Sequence, residues 1–232
     1  MIMDACAEYL EVAENRVALY GFFARVYRSE VDAELLAALK QIDFRVEEGE
    51  ARYVEGAARL QAWLSCPSFT MRKDLAVDYA KVFLAAGISQ GGAAFPYESV
   101  YTSPEGLVMQ EARDEVVRLY RTKGLSVGGV VEPEDHVAFE LEFMTLLCRE
   151  GERAARSGDA EGVWASIDEQ RAFLANHLMN WVPQFCEDVA RYANTDFYRA
   201  VASMTEGFIA MDAALLEQME CRRGGASVHV AS

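Results

Sequence analysis

An all-α fold follows from three observations on this sequence. Apolar residues recur at steps of three and four along most of the chain, the period of a helix with one buried face. No segment alternates apolar and polar residues convincingly, as a half-buried strand would. Glycine and proline gather between the periodic segments, above all near 87–96 and 124–132. With 232 residues, 52% of them hydrophobic, the chain can bury a substantial core. The expectation is a single helical domain of about eight to ten helices over 1–221, or two helical subdomains joined by a Gly-rich hinge near 124–132. Residues 222–232 read as a flexible tail.

Leu10, Ala13, Val17, Tyr20, Ala24 and Tyr27 form the stripe of a long first helix. A second helix is expected over roughly 31–41 and a third over roughly 48–64, the latter stopped by Pro67. Ser68 is placed to cap a fourth that runs to about Ala86. The segment 87–104, GISQGGAAFPYESVYTSP, is long for a loop in a compact domain. Its three aromatic residues mark it as packed or functional. A fifth helix follows from about Pro104 to Lys123, then the connector GLSVGGVVEP. The next helix is expected to start at Pro133, whose fixed φ suits a first turn and whose missing N–H costs nothing there. Glu134 and Asp135 then sit on the positive end of its dipole. Further helices are expected over roughly 159–180, 183–193 and 196–221.

A formal net charge of −15 repels nucleic-acid phosphates and anionic membranes and attracts a basic partner. It argues against a helix-turn-helix regulator, which also needs a basic recognition helix. No run of apolar residues is long enough to span a bilayer, so no membrane span is expected. The first residues are acidic and lack the basic start of a signal peptide. Five widely spaced cysteines without a CxxC pair fit a reducing cytoplasm.

The segment 132–147, EPEDHVAFELEFMTLL, carries the chemistry that needs a reason. Wrapped at 100° per residue, its apolar side chains cover most of the circumference and leave Ala138, Glu142, Thr145 and Arg149 as the solvent face. His136 and Glu140 fall inside the apolar arc, one turn apart, where an unpartnered polar group is costly. They could share a hydrogen bond at that spacing. Asp135 and His136 read either as a polar pair at the mouth of a ligand or peptide groove, or as a helix-start aspartate beside a satisfied core histidine. His177 lies in a stripe with Gln170, Leu174, Leu178 and Trp181, and reads first as a core residue. A metal-dependent helical-bundle enzyme using His136, Glu140 and His177 is the alternative function, but there is no HExxH and no paired ExxH. No cysteine spacing suits zinc, and neither GxSxG nor a phosphate loop is present. No metal, cofactor or catalytic residue is therefore expected.

Three segments taken together, DYAKVFLAAGISQGGAAFPYESVYTS (78–103), EPEDHVAFELEFMTLL (132–147) and FLANHLMNWVPQF (173–185), resemble the TorD/DmsD family of cytoplasmic molybdoenzyme chaperones, with NarJ-type relatives. The resemblance covers roughly 9–200 and implies an all-helical, non-enzymatic protein. Such a protein binds the twin-arginine leader of a molybdenum-cofactor oxidoreductase and holds the catalytic subunit until cofactor insertion and export. The implied peptide-binding residues are Asp135 and His136, with Pro96, Tyr97, Ser99, Val100 and Tyr101 from the loop, and with Glu132 and Glu140 beside them. Relatives often carry Trp and Gly where this chain has Tyr97 and Glu98. The implied partners are the leader and body of the client subunit. The chain itself is expected to be a monomer or a helix-swapped dimer, since the Gly-rich connectors offer the hinge that exchange requires.

Overall fold

The computed structural model describes residues 5–86, 88, 92–125 and 132–228. Ten α-helices follow one another among them: α1 (Ala5–Arg28), α2 (Ala33–Leu39), α3 (Ala51–Ser65), α4 (Met71–Phe83), α5 (Glu98–Thr102), α6 (Glu111–Thr122), α7 (Val137–Arg156), α8 (Ala160–Phe173), α9 (Val182–Tyr192) and α10 (Asp196–Val228). A π-helical turn, Leu174–Leu178, continues α8. No strand occurs among the described residues. The all-α expectation holds, and one continuous core runs through the molecule.

Helix α1 packs lengthwise on α7, α7 on α8, α3 on α10, and α10 on α9. Of the stripe read from the sequence, Ala13, Tyr20, Ala24 and Tyr27 are buried, Val17 is half-buried and Leu10 is exposed, while Tyr9 and Phe23 are buried on the same side. Each buried aromatic side chain contributes about 1.5–3 kcal/mol in gross terms. The α3–α10 seam is close because Gly56 has no side chain; a Cβ there would lie 2.8 Å from the Ala200 carbonyl oxygen.

Buried polar groups tie these layers together. Arg16 meets Asp212 through Nε at 2.5 Å and Nη2 at 2.9 Å, and Tyr20 donates to the same carboxylate at 2.7 Å. Gln170 donates to the Tyr9 hydroxyl at 2.9 Å and to Ser166 at 2.8 Å, while Tyr9 donates to the Cys148 carbonyl at 3.0 Å. Asp78 accepts from the backbone of Asn194 and Thr195 at 2.8 and 2.7 Å, and so holds the start of α10 from α4.

Several local expectations shift. The fourth helix is preceded by Thr70 rather than Ser68; Ser68 instead accepts from the Thr70 N–H at 3.2 Å. The segment 87–104 contains α5. The fifth expected helix starts at Glu111, because 104–110 forms a turn-rich strap with left-handed Gly106 and Met109. Helix α7 begins at Val137, not at Pro133. Ala138, assigned to the solvent face, is fully buried. Helix α10 runs to Val228, through residues that the sequence reading gave to the tail. Most of the connector proposed as a hinge, 126–131, and the last residues, 229–232, lie outside the described residues.

Candidate functional site

The three motif segments meet around α5. Tyr97 and His136 form an isolated antiparallel bridge. Glu98 N–H donates to the Asp135 carbonyl at 3.0 Å, and Val137 N–H donates to the Pro96 carbonyl at 2.8 Å. These backbone bonds explain the late start of α7. The residues after Pro133 are committed to the loop strand beside them before the helix can close. His136 is the N-cap: its Nδ1 accepts from Ala138 N–H at 3.0 Å.

Asp135 does the corresponding work for the neighbouring helix. Its Oδ2 accepts from Ser99 N–H at 2.9 Å, in the first turn of α5. Tyr97, the residue at the N-cap position, makes no side-chain cap bond, so Asp135 caps α5 from the other segment. Ser99 in turn accepts the N–H of Gln110 at 3.0 Å and anchors the strap that follows. A five-residue helix is too short to persist by itself; here both its ends are tied to other segments.

The third segment closes the cluster. His177 Nδ1 lies 3.0 Å from Glu98 Oε2, and Asn180 donates to Glu98 Oε1 at 2.9 Å. Trp181 Nε1 reaches Glu140 Oε2 at 3.1 Å and the His177 carbonyl at 2.6 Å. Glu140 therefore bonds Trp181, not His136 as the helical spacing suggested. The π turn is what delivers these side chains, because its wider hydrogen bonding, Met179 N–H to the Leu174 carbonyl at 2.9 Å, changes the facing of everything after it.

Three carboxyl groups, Glu98, Asp135 and Glu140, are buried together. Burial, then the charges of Glu98 and Asp135, holds the Glu140 carboxyl well above the usual range. Burial likewise raises Asp135, against the Ser99 hydrogen bonds that lower it. Burial and then the Arg28 charge push His136 down to about 4, so its ring is neutral at pH 7 and its Nδ1 is free to accept. Asp135 Oδ1 and Glu140 Oε1 are buried without a hydrogen-bond partner.

The expected peptide-binding residues thus fall into two sets. Pro96, Ser99, Asp135, His136 and Glu140 are buried. Tyr97, Val100, Tyr101 and Glu132 are half-buried and form the outer layer. Tyr97 donates to Glu132, Tyr101 donates to Asp188 at 3.3 Å, and the Tyr101 ring lies 5.4 Å from that of Trp181. Burial with the adjacent carboxylates raises both tyrosine hydroxyls well above their ordinary value. Beside the cluster, a groove of about 590 Å³ runs between α6, α7 and the π turn, floored by Leu119, Phe143, Leu147 and Phe173, with His177 in its wall.

The metal constellation of the alternative reading does not assemble. His177 turns to Glu98, His136 Nδ1 is occupied by the backbone, and no group of three ligating side chains suited to a metal occurs among the described residues. The expected list lacked Glu98, Asn180 and Trp181. Glu98 had a signal, as the one charged residue of the segment 87–104; Asn180 and Trp181 had only their place in the third segment.

A family model described as nitrate reductase delta subunit matches residues 47–187. Curated relatives called chaperone protein TorD are similar over most of the chain. The one from Ferrimonas balearica is 30% identical over 90% of this chain and 94% of its own. The one from Vibrio parahaemolyticus is 27% identical over 88% and 95%. A third, from Photobacterium profundum, is 31% identical over 62% and 64%.

Proposed function

The chain belongs to the TorD/DmsD family of chaperones, and from that premise we propose that it matures a molybdenum-cofactor oxidoreductase by binding the twin-arginine leader of the catalytic subunit in the cytoplasm, holding it until cofactor insertion and export, without catalysis of its own. The observation that carries this reading is the convergence of the three motif segments on α5. Loop, α7 start and π turn are distant in sequence, yet each contributes a partner to Glu98 or Asp135.

The leader meets the outer layer formed by Tyr97, Tyr101 and Glu132, while Pro96, Ser99, Asp135, His136 and Glu140 hold that layer in shape. A leader of this kind is a short basic segment followed by an apolar one. Each apolar side chain inserted gains about 1.5–3 kcal/mol gross, against an association cost on the order of 4–15 kcal/mol. Exposed arginine–carboxylate pairs add about 0.2–1 kcal/mol each. Apolar contact therefore sets affinity, and the net charge of −15 sets encounter rate and selectivity for a basic peptide. Calorimetric titration with a synthetic twin-arginine leader and a scrambled control tests the reading. The leader alone should bind, and equal heats from both peptides would sink it.

A further inference from the structure

Helix α4 turns a conflicted face outward. Phe69, just before it, is fully exposed, and Val77 and Leu84 on the same face are exposed as well. Arg72 and Lys73 occupy its first turn, at the positive end of the helix dipole, where cations are disfavoured. Among the described residues neither has a hydrogen-bond or ion-pair partner. In a chain of net charge −15, two unpaired cations beside a bare aromatic ring contradict the local rules, and such contradictions mark surfaces kept for a partner.

The same patch holds the complement of these features. Phe69, Arg72, Lys73 and Ala76 form one wall of a hollow of about 490 Å³; Glu30, Val31, Asp32 and Ala33, at the turn from α1 into α2, form the other. Asp32 is already engaged by Arg25 at 2.6 Å, and Glu30 is left as the acidic group without an ion pair. A patch that carries an apolar knob, a recess and both signs of charge is self-complementary, which is what a twofold contact between identical chains requires.

We propose that this face is an isologous dimer contact. Phe69 of each chain enters the recess of the other, and Arg72 with Lys73 faces Glu30 across the twofold axis. The contact differs from helix exchange in needing no hinge. Because the knob is a single aromatic side chain on each side, the dimer is weak and salt-sensitive.

Sedimentation equilibrium of the full chain from micromolar to several hundred micromolar tests this. A reversible monomer–dimer equilibrium is expected. Phe69→Ser should raise its dissociation constant at least tenfold, and so should Arg72→Glu. Glu30→Lys should weaken self-association likewise. Mixing the Arg72→Glu and Glu30→Lys chains should restore dimerisation, since both contacts across the axis again pair opposite charges. Circular dichroism confirms that each variant is folded. A chain that stays monomeric over the whole range overturns the proposal. So does a dimer that the Phe69 and charge variants leave unchanged, or a mixture no tighter than its components.

Discussion

Two buried polar clusters in this protein obey opposite rules. Between α1 and α10, Arg16 and Asp212 bring opposite charges together, with Tyr20 as an additional donor to the carboxylate. Around α5, Glu98, Asp135 and Glu140 bring like groups together beside a neutral His136. The first cluster balances charge inside itself and serves the fold. The second relieves like charge only by holding the Glu140 carboxyl well above its usual range and by drawing on backbone N–H groups, Asn180 and Trp181. Such an arrangement costs stability near neutral pH, and it sits where three segments of family motif meet.

The largest effect should come from breaking the balanced cluster. Asp212→Ala leaves Arg16 buried without its counter-charge and should cost about 3–5 kcal/mol in urea unfolding. Replacing both partners with apolar residues should cost far less, because no charge is then stranded. A loss for the double variant as large as for Asp212→Ala would mean that packing, not charge compensation, dominates there.

The α5 cluster should show itself in pH dependence. His136 is held at about 4 when folded, below its ordinary value near 6.5. The unfolded chain takes up a proton first, so stability is present above pH 6.5 and is lost as pH falls towards 4. The loss is roughly 3 kcal/mol by linkage, and His136→Asn should flatten that slope. Glu140 behaves in the opposite sense. Its folded carboxyl is raised, so its contribution is complete below the unfolded value near 4.5 and fades as pH climbs towards the folded one. Glu140→Gln should therefore match or exceed the wild type at pH 8, whereas Glu140→Ala should lose about 1–3 kcal/mol by removing one of the two acceptors of Trp181 Nε1 and leaving a cavity at a fully buried position. Chemical denaturation across pH 4–9 reads all three. An unaltered slope in His136→Asn would assign the acid loss to other groups.

The smallest expected effect belongs to Asp135. Asp135→Ala removes the cap of α5 and should cost about 0.5–2 kcal/mol in stability. Because α5 carries Tyr101 and follows Tyr97, it should also weaken leader binding, by about 1–3 kcal/mol. Thermal melting paired with leader titration separates the two. An early melt with normal binding would make Asp135 a cap and nothing more.

What could be read in the sequence followed from periodicity and burial. The α1 stripe, the order of the long helices and the inward placement of His136 and Glu140 all depend on spacing within one segment. Helix α5 was not legible, because its cap lies on another segment and nothing local announces it. The start of α7 was misplaced for the same reason: Pro133 and Glu134 look like a helix start, but the Val137 N–H is taken by the Pro96 carbonyl. The His177–Glu98 contact was invisible too, since regular α-helical pitch through 174–178 would aim His177 elsewhere. Within the candidate site, the sequence named most residues of two segments but missed Glu98 in the first, and Asn180 and Trp181 in the third.

The π turn has a consequence for how the chain tolerates length changes. A turn of Leu174–Leu178 holds one residue more than an α-helical turn of the same rise. Deleting a single residue there would let the helix run on in ordinary pitch and leave Asn180 and Trp181 close to their present facing, because the lost residue and the lag of the wide turn each amount to about 100° around the axis and cancel. In regular α-helix a one-residue deletion instead turns every later side chain by that angle. At this place the ties of Glu98 and Glu140 to the third segment would survive the loss. The surplus residue is slack that the helix can give up.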